Sequence, residues 1–288
     1  MEPKSRRVTG ADDIGLHLLD WGGEGVPLLL LHGFGNESHI WDDFAPAVAP
    51  YYHTLAMDHR GHGDSDWDPK AHYAHEHMVA DVEALTEALG IDRLVVIGHS
   101  LGGRIATLFA DRNPERMAGL VLVDIGPDLD PRGVTRIRLE VESTQRPTFG
   151  SVEEYSRVLS LAYPAGRPDA VMRMAIHGLR LRDDGRYVLK MDPLLRGGGP
   201  SEEPEIAEER GRAMSETLWK ALARISCPTL VVRGAASDVL SPDTADKMVD
   251  ETLPKGRLAI VPQAGHSVMT DNPDGFREAV TDFILSDE

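Results

Sequence analysis

The sequence has few of the features that cross-link a chain covalently or place it in a membrane. It contains one cysteine, Cys227, among 288 residues, which excludes an internal disulfide and favours a reducing compartment. Apolar runs such as Leu28 to Leu31 are much shorter than the roughly 18 residues that span a bilayer. Arg6 and Arg7 near the N-terminus are followed by no apolar stretch, so no secretory signal is predicted. We therefore expect a soluble protein of the cytoplasm.

Positive charge is also scarce. The chain has 30 Lys and Arg against 47 Asp and Glu, a formal net charge of −17. Such a chain repels nucleic-acid phosphates and anionic lipid headgroups unless a basic patch offsets the charge, and the sequence contains no such patch. Neither a nucleic-acid nor a membrane partner is therefore expected. Apolar residues make up 41% of the chain, which is enough for a hydrophobic core and excludes disorder of the whole molecule.

Short apolar runs recur with helical stretches between them, which is the pattern of a mostly parallel α/β sheet flanked by helices. Ligands collect at the carboxyl ends of such strands, so the residues that follow each run are candidates for a functional site. The predicted strands are Pro27–Leu31, His53–Met57, Leu94–Ile97, Gly119–Val123, Pro228–Val232 and Arg257–Val261. The predicted helices include Met78–Leu89, Gly102–Arg112 and a final helix after Asn272-Pro273.

The strand and helix alternation is interrupted between Asp124 and Pro228. Helical patches at Val134–Gln145 and Val152–Leu161 and a Gly/Pro-rich stretch at Gly197–Pro200 indicate a mostly helical insertion with a flexible connection. The length of the chain allows either two domains or one enlarged domain. We predict one α/β core formed by residues 1–126 and 216–288, with residues 127–215 inserted into it.

Ser100 lies at the centre of a G-x-S-x-G motif, from Gly98 to Gly102. The motif directly follows a predicted strand and directly precedes a predicted helix. A sharp turn at this point strains the serine backbone and requires that neighbouring positions lack side chains, which explains the two glycines. The serine would then project above the carboxyl edge of the sheet, as a nucleophile must.

A serine hydroxyl needs a base to take its proton and a carboxylate to orient that base. His266, in the loop between the last strand and the final helix, is the candidate base. Asp238, just past the strand that ends at Val232, is the candidate acid, and Asp124 at the end of an earlier strand remains the alternative. The backbone amides of Phe34 and Leu101 are candidate donors to the oxyanion that develops during acyl transfer.

The sequence indicates neither a metal nor an organic cofactor. His72, His75 and His77 form an H-x-x-H-x-H cluster, but this spacing is permissive and no cysteine lies near it, so we expect no metal site there. The glycines at 197–199 are not followed by Gly-Lys-Ser or Gly-Lys-Thr, so a phosphate-binding loop is not predicted. His32 is expected to hydrogen-bond its own loop rather than act as a base.

Several spaced motifs together resemble the α/β-hydrolase superfamily. They are His32-Gly33-Phe34-Gly35, the segment Asp58 to Ser65, the motif around Ser100, Ser237-Asp238 and Gly265-His266. The order serine, acid, histidine is that of the superfamily, and the resemblance extends from about Trp21 to the C-terminus outside the insertion. It implies a catalytic triad of Ser100, Asp238 and His266, an oxyanion hole formed by the Phe34 and Leu101 amides, and a cap formed by the insertion. A serine at position 100 argues against the branches that use an aspartate nucleophile, the epoxide hydrolases and haloalkane dehalogenases.

We therefore predict a cofactor-independent serine esterase that cleaves carboxylic esters of small to medium acyl or alcohol size through an acyl-enzyme. A carbon–carbon bond hydrolase, a lactonase or an amidase with the same triad is the enzymatic alternative. A ligand sensor that keeps the fold but engages a partner through its cap is the non-enzymatic alternative. The sequence predicts neither the substrate nor the oligomeric state.

Overall fold

A twisted eight-stranded sheet forms the centre of the molecule. The computed structural model describes residues 2–143, 148–196 and 204–286. Its strand order is β1-β2-β4-β3-β5-β6-β10-β11. The pairs β1–β2 and β2–β4 are antiparallel, and every other neighbouring pair is parallel. The strands are β1 (Lys4–Thr9), β2 (Gly15–Gly22), β3 (Pro27–Leu31), β4 (His53–Met57), β5 (Leu94–His99), β6 (Met117–Val123), β10 (Thr229–Gly234) and β11 (Gly256–Val261). The six strands predicted from apolar runs are confirmed.

Helices cover both faces of this sheet. They are α1 (Ala45–Val48), α2 (His75–Ala88), α3 (Leu101–Arg112), α4 (Pro131–Ser143), α5 (Val152–Ala162), α6 (Pro168–His177), α7 (Pro204–Arg224), α8 (Pro242–Asp246), α9 (Val268–Asp271) and α10 (Pro273–Ile284). Short 3-10 helices occur at Ala11–Asp13, Ser38–Trp41, Pro114–Arg116 and Pro193–Arg196, and a π-helical turn at Lys247–Thr252. The three helices predicted in the core are confirmed within a few residues. Among the described residues, no helix combines the length and the apolar character needed to cross a membrane.

Two apolar layers lie on opposite sides of the sheet. Residues of α2, α3 and α7 such as Val82, Ile105 and Leu222 pack on one face, and Phe276 and Val280 of α10 pack on the other. The central strands are apolar along their whole length because both of their faces are covered. Burial on both sides fixes the strands and therefore fixes the loops that follow them.

The two N-terminal strands were not predicted. Strand β1 is an edge strand with the sequence KSRRVT, whose side chains are mostly exposed, so it contains no apolar run to detect. Charged side chains are usual on edge strands because they discourage pairing with a second chain. Strand β2 places Leu16 and Leu18 in the core, but polar residues such as His17 interrupt its apolar pattern.

The segment between β6 and β10 is not entirely helical. Besides α4, α5 and α6 it contains a small antiparallel sheet in the order β7-β9-β8, formed by β7 (Thr148–Phe149), β8 (Leu179–Leu181) and β9 (Tyr187–Leu189). Helix α7 runs through the predicted domain boundary at 215/216 and contacts α3 of the core. The predicted flexible connection, Gly197–Pro200, lies outside the described residues. The division into a core and a cap stays a prediction.

Candidate active site

Ser100 occupies the tight turn between β5 and α3. Its backbone has φ of +50° and ψ of −113°, a conformation that residues with side chains rarely adopt. Its amide donates to the carbonyl of Val123 in β6 at 3.1 Å, and its own carbonyl accepts from Gly103 at 3.0 Å. The surrounding strand and helix therefore hold the strained residue in place, as the sequence predicted.

The two glycines of the motif are required by close backbone approaches. A Cβ atom at Gly98 would lie 2.4 Å from the carbonyl oxygen of Gly102. A Cβ atom at Gly102 would lie 2.3 Å from the carbonyl oxygen of Leu31 in β3. Both distances are well below a van der Waals contact, so any other residue would force the turn apart.

His266 lies between Ser100 and Asp124. Its Nε2 atom is 3.1 Å from Ser100 Oγ, and its Nδ1 atom is 2.9 Å from Asp124 Oδ2. The three residues follow β5, β6 and β11, so their side chains come together at the carboxyl edge of the sheet. A chain of hydrogen bonds from hydroxyl to imidazole to carboxylate is the geometry that activates a serine.

The expectation that Asp238 contacts His266 is wrong, and the alternative residue, Asp124, has that position. Asp124 is fully buried; its Oδ1 accepts from the Gly234 amide at 3.0 Å, and its Oδ2 also accepts from Ser237 Oγ at 2.5 Å. Asp238 instead forms a two-pronged ion pair with Arg136 of α4, at 2.7 and 2.9 Å.

The two aspartates differ because of what surrounds them. Asp124 is held by donors from the loop after β10, which aim its carboxylate at the histidine. The hydrogen bonds from Arg136 hold the pKa of Asp238 below its ordinary value and turn its carboxylate towards α4. Neither Ser237 nor the Gly234 amide was recognised from the sequence as a partner of the acid, although a hydroxyl residue directly before Asp238 is a signal that could have been used.

Two further residues fix the loop that carries His266. The Nε2–H group of His99 donates to the His266 carbonyl oxygen at 2.9 Å. Burial, followed by the nearby His266, holds the pKa of His99 well below its ordinary value, so its ring stays neutral. Asp271, at the end of α9, accepts from the Gly265 amide at 2.8 Å. Sequence analysis assigned no role to either residue.

The loop after β3 lies beside the start of α3. The Gly102 amide donates to the His32 carbonyl at 3.1 Å and joins the two segments. Neither the Phe34 amide nor the Leu101 amide donates to another residue in the described ranges. His32 is fully buried and its Nδ1 lies 2.8 Å from the Gly33 carbonyl, which confirms its expected place in the loop. The assignment of the Phe34 and Leu101 amides as an oxyanion hole stays a prediction.

A cavity of about 780 Å³ opens above Ser100 and His266. Core loops form its floor, and helices α4 and α5 supply much of its wall. Most of the wall is apolar, and the charged groups that line it include Arg136, Arg196, Asp238 and Asp271. The volume lies within the range of about 300 to 1,000 Å³ that is typical of small-molecule sites.

Some histidines and carboxylates approach one another closely enough to share a metal ion. His72 and His77 stack with ring centroids 4.6 Å apart and lie near Asp12, whereas His75 takes no part in this group. His39, Asp42 and His177 form a second group. Neither group includes a residue of the Ser100 and His266 pair.

Comparisons with known proteins show the family of this chain. The family described as alpha/beta hydrolase fold matches residues 26–149. The solved structure of an alpha/beta hydrolase from Novosphingobium aromaticivorans is 31% identical in sequence to this chain and has a TM-score of 0.81. The match covers 99% of this chain and 98% of that chain. The chain therefore belongs to the α/β-hydrolase superfamily.

Two curated relatives have more specific names. The 2-(acetamidomethylene)succinate hydrolase of Mesorhizobium japonicum is 25% identical over 91% of this chain and 89% of its own length. An esterase of Mycobacterium tuberculosis is 29% identical over 91% of this chain and 84% of its own length.

Proposed function

We propose that this protein is a serine hydrolase that cleaves carboxylic esters through an acyl-enzyme. The observation that carries the proposal is the hydrogen-bonded chain from Ser100 through His266 to Asp124 at the floor of the cavity. The esterase among the relatives supports the same reaction class. No cofactor is needed for this chemistry, because the serine, the imidazole and the backbone amides supply the nucleophile, the base and the donors to the oxyanion.

The reaction would proceed in two halves. Ser100 Oγ attacks the ester carbonyl while His266 Nε2 takes the hydroxyl proton, and the amides of Phe34 and Leu101 donate to the oxyanion. His266 then gives the proton to the leaving alcohol, and an acyl group remains on Ser100. Water, deprotonated by the same imidazole, attacks the acyl carbon; the bond from that carbon to Ser100 Oγ then breaks, His266 returns the proton to Ser100 Oγ, and the carboxylic acid is released. Asp124 stabilises the imidazolium in both halves.

Hydrolysis of p-nitrophenyl esters, with a fluorophosphonate probe as a label, tests this proposal. The wild-type protein should turn over short-chain esters continuously, and the probe should attach to Ser100 by peptide mass mapping. Ser100→Ala should lose both turnover and labelling while its circular dichroism spectrum stays unchanged. Activity near that of the wild type in Ser100→Ala would exclude Ser100 as the nucleophile, and a single turnover coupled to partner binding would favour the ligand sensor.

One charged residue of the cavity, Arg196, favours substrates that carry a carboxylate. Arg196 lines the cavity and is 7% exposed, and a guanidinium in such a place suits a planar anion. One relative is named for a succinate derivative. Near the site, the positive charge of Arg196 would also offset the net negative charge of the chain. We therefore propose that small anionic acyl groups are preferred to neutral ones.

This preference can be measured apart from the chemistry. The mono-p-nitrophenyl ester of succinic acid should have a lower KM than p-nitrophenyl butyrate, which has the same acyl length. Arg196→Met should raise KM for the succinate ester about tenfold or more and leave the butyrate ester nearly unchanged. Equal effects on the two esters would contradict a carboxylate subsite at Arg196 and leave the esterase proposal standing.

Amide, lactone and carbon–carbon bond hydrolysis use the same three residues and remain the alternatives. The name of the succinate hydrolase among the relatives includes an acetamido group, which makes amides the first of these to test. Matched ester, amide, lactone and carbon–carbon bond substrates with one acyl group distinguish these reactions. The bond with the highest kcat/KM identifies the reaction.

A further inference from the structure

Two histidines meet where the insertion contacts the core. His39 belongs to the 3-10 helix Ser38–Trp41, which follows the loop after β3, and His177 is the last residue of α6. Their rings stack with centroids 3.5 Å apart and planes inclined by 18°. Asp42 ends the same 3-10 helix, and its Oδ2 lies 3.0 Å from His39 Nδ1.

The ligand atoms of the three side chains converge. One nitrogen from each histidine and one oxygen from Asp42 all lie within 4.8 Å of one another. Two ligands of one tetrahedral zinc ion bound at about 2.0 to 2.1 Å lie about 3.3 Å apart. Small rotations of the side chains therefore suffice to close the set around one ion.

The Asp42 carboxylate gives an independent indication. Its Oδ1 atom is buried, and no residue of the described ranges donates a hydrogen bond to it. A buried carboxylate oxygen without a donor is costly, because burial removes water and nothing replaces it. A cation beside Asp42 would remove this cost.

We propose that His39, Asp42 and His177 bind a divalent transition metal ion such as Zn²⁺, which joins the insertion to the core. Two imidazoles and one carboxylate are a common protein ligand set for zinc, with water in the fourth position. Imidazole nitrogens also bind Cu²⁺ and Ni²⁺, and the general order of affinity places Cu²⁺ above Zn²⁺. The proposal does not depend on the esterase proposal, since none of the three residues belongs to the site at Ser100.

The electrostatic surroundings are compatible with a bound cation. Arg173 is the cation nearest to the carboxylate, with Nε 3.9 Å from Asp42 Oδ2, but its guanidinium is paired with Asp43. Lys190 and Asp64 also face His177 and have opposite charges.

A metal at this position would link two segments that border the cavity. The segment that carries His39 continues from the loop of Phe34, and α6 packs on α5, which lines the cavity. Binding should therefore make the insertion more rigid with respect to the cavity floor. This rigidity can be observed without substrate.

Isothermal titration of Zn²⁺ into the whole protein tests the site. His177→Gln and Asp42→Asn should each weaken the Kd at least about tenfold, since even outer partners of metal ligands contribute tenfold or more. His77→Gln is the matched control, because it removes one histidine from the other stacked pair and should leave this Kd unchanged. Two substitutions are used so that a folding defect in one, checked by circular dichroism, leaves the other to decide.

Hydrogen exchange tests whether the ion joins the two parts. Zn²⁺ should slow the exchange of amides in α6 of the wild type and of His77→Gln, and should have no effect on α6 in His177→Gln. Wild-type affinity in both His177→Gln and Asp42→Asn would overturn the proposal, as would a loss of binding confined to His77→Gln. Binding that leaves exchange in α6 unchanged would overturn the link between insertion and core.

Discussion

Asp124 and Asp238 follow neighbouring strands, and their hydrogen-bond partners determine what each can do. Asp124 has no exposed surface and contacts His266, whereas Asp238 is ion-paired with Arg136 at the cavity wall. A carboxylate supports catalysis by holding the imidazole in one tautomer and stabilising its charged form. Only Asp124 is placed to do so.

Exchanging each carboxylate for an amide tests this distinction. Asp124→Asn should lower kcat for ester hydrolysis by about 10³ to 10⁴, because an amide in this place favours the wrong imidazole tautomer. Asp238→Asn should lower kcat by about tenfold at most, because it weakens only an ion pair that is partly exposed to water. The measurement is kcat with p-nitrophenyl acetate for both variants. A large loss in Asp238→Asn with little change in Asp124→Asn would restore the assignment made from the sequence.

Local sequence predicted the serine and the histidine but not the acid, for a physical reason. Ser100 lies in a motif whose glycines are dictated by backbone contacts within a few residues of it. The choice between Asp124 and Asp238 depends on donors from a distant segment, Ser237 and the Gly234 amide, and on Arg136 of the insertion. Such contacts exist only once the strands are side by side, and the serine directly before Asp238 is the one local signal of them.

At the scale of single elements, a glycine at the end of β5 and a glycine within α7 should respond in opposite ways to the same substitution. Gly98→Ala should destabilise the protein and abolish hydrolysis, because the new Cβ would lie 2.4 Å from the Gly102 carbonyl. Gly211→Ala in α7 should raise the free energy of unfolding by about 0.5 to 1 kcal/mol, because the Cβ there meets nothing within 4 Å and alanine favours a helix. Urea denaturation measures both. Destabilisation by Gly211→Ala of the size seen at Gly98 would contradict the steric argument.

Arg60 fastens the loop after β4 to α2. Its side chain is fully buried, and its Nε and Nη2 donate to Asp81 at 2.6 and 2.8 Å, while Nη1 donates to Asp68 at 3.1 Å. Asp81 lies on α2 and is therefore a long-range partner of Arg60. The loop therefore depends on an ion pair between two elements.

Removal of Arg60 should lower the free energy of unfolding far more than removal of an exposed arginine does. Arg60→Leu should lower the free energy of unfolding by about 3 to 5 kcal/mol, because Asp81 would remain buried without its partner. The control Arg277→Ala breaks an exposed pair with Asp274 and should change stability by less than about 1 kcal/mol. The double variant Arg60→Leu/Asp81→Leu should recover part of the loss. Strict additivity in this double-mutant cycle, measured by denaturation, would show that the two residues do not act as a pair.

Buried helices and strands were easier to predict from the sequence than exposed ones. Strand β5 is buried along its length and was predicted from its apolar run, whereas the exposed edge strand β1 was missed. The short strands β7, β8 and β9 have two or three residues each, too few to show a period. Helix α7 crosses the predicted boundary at 215/216 because its C-terminal half carries Leu218 and Leu222 into the core.

At the scale of the whole molecule, buried histidines make stability depend on pH. Burial lowers the pKa of six histidines below the ordinary value of 6.5; they are His32, His59, His62, His75, His99 and His177. For His62 the pKa falls to about 3, and for His75 to about 4. Each of these rings is neutral in the folded chain at a pH where the unfolded chain already binds a proton. Their contribution to stability is therefore present above pH 6.5 and is lost as the pH falls towards the pKa of each histidine in the folded chain.

Three acids act in the opposite direction. Burial raises the pKa of Glu37, Asp81 and Asp271, so the folded chain binds their protons more readily than the unfolded chain does. They make folding more favourable as the pH falls through their raised values. Because the affected histidines outnumber these acids, we expect the histidines to determine the sign of the pH dependence between pH 6.5 and 4.5.

The free energy of unfolding should therefore decrease from pH 7 to pH 5. Each histidine that is protonated only in the unfolded chain contributes about 1.4 kcal/mol per pH unit, and the acids remove part of that sum. Guanidinium denaturation at pH 7, 6 and 5 measures the slope. His75→Gln should make it shallower by at most one histidine's share, because glutamine at this partly buried position does not titrate. A free energy of unfolding that stays constant or rises on acidification would mean that the buried acids outweigh the histidines. An unchanged slope in His75→Gln would mean that this ring titrates alike in the folded and unfolded chains.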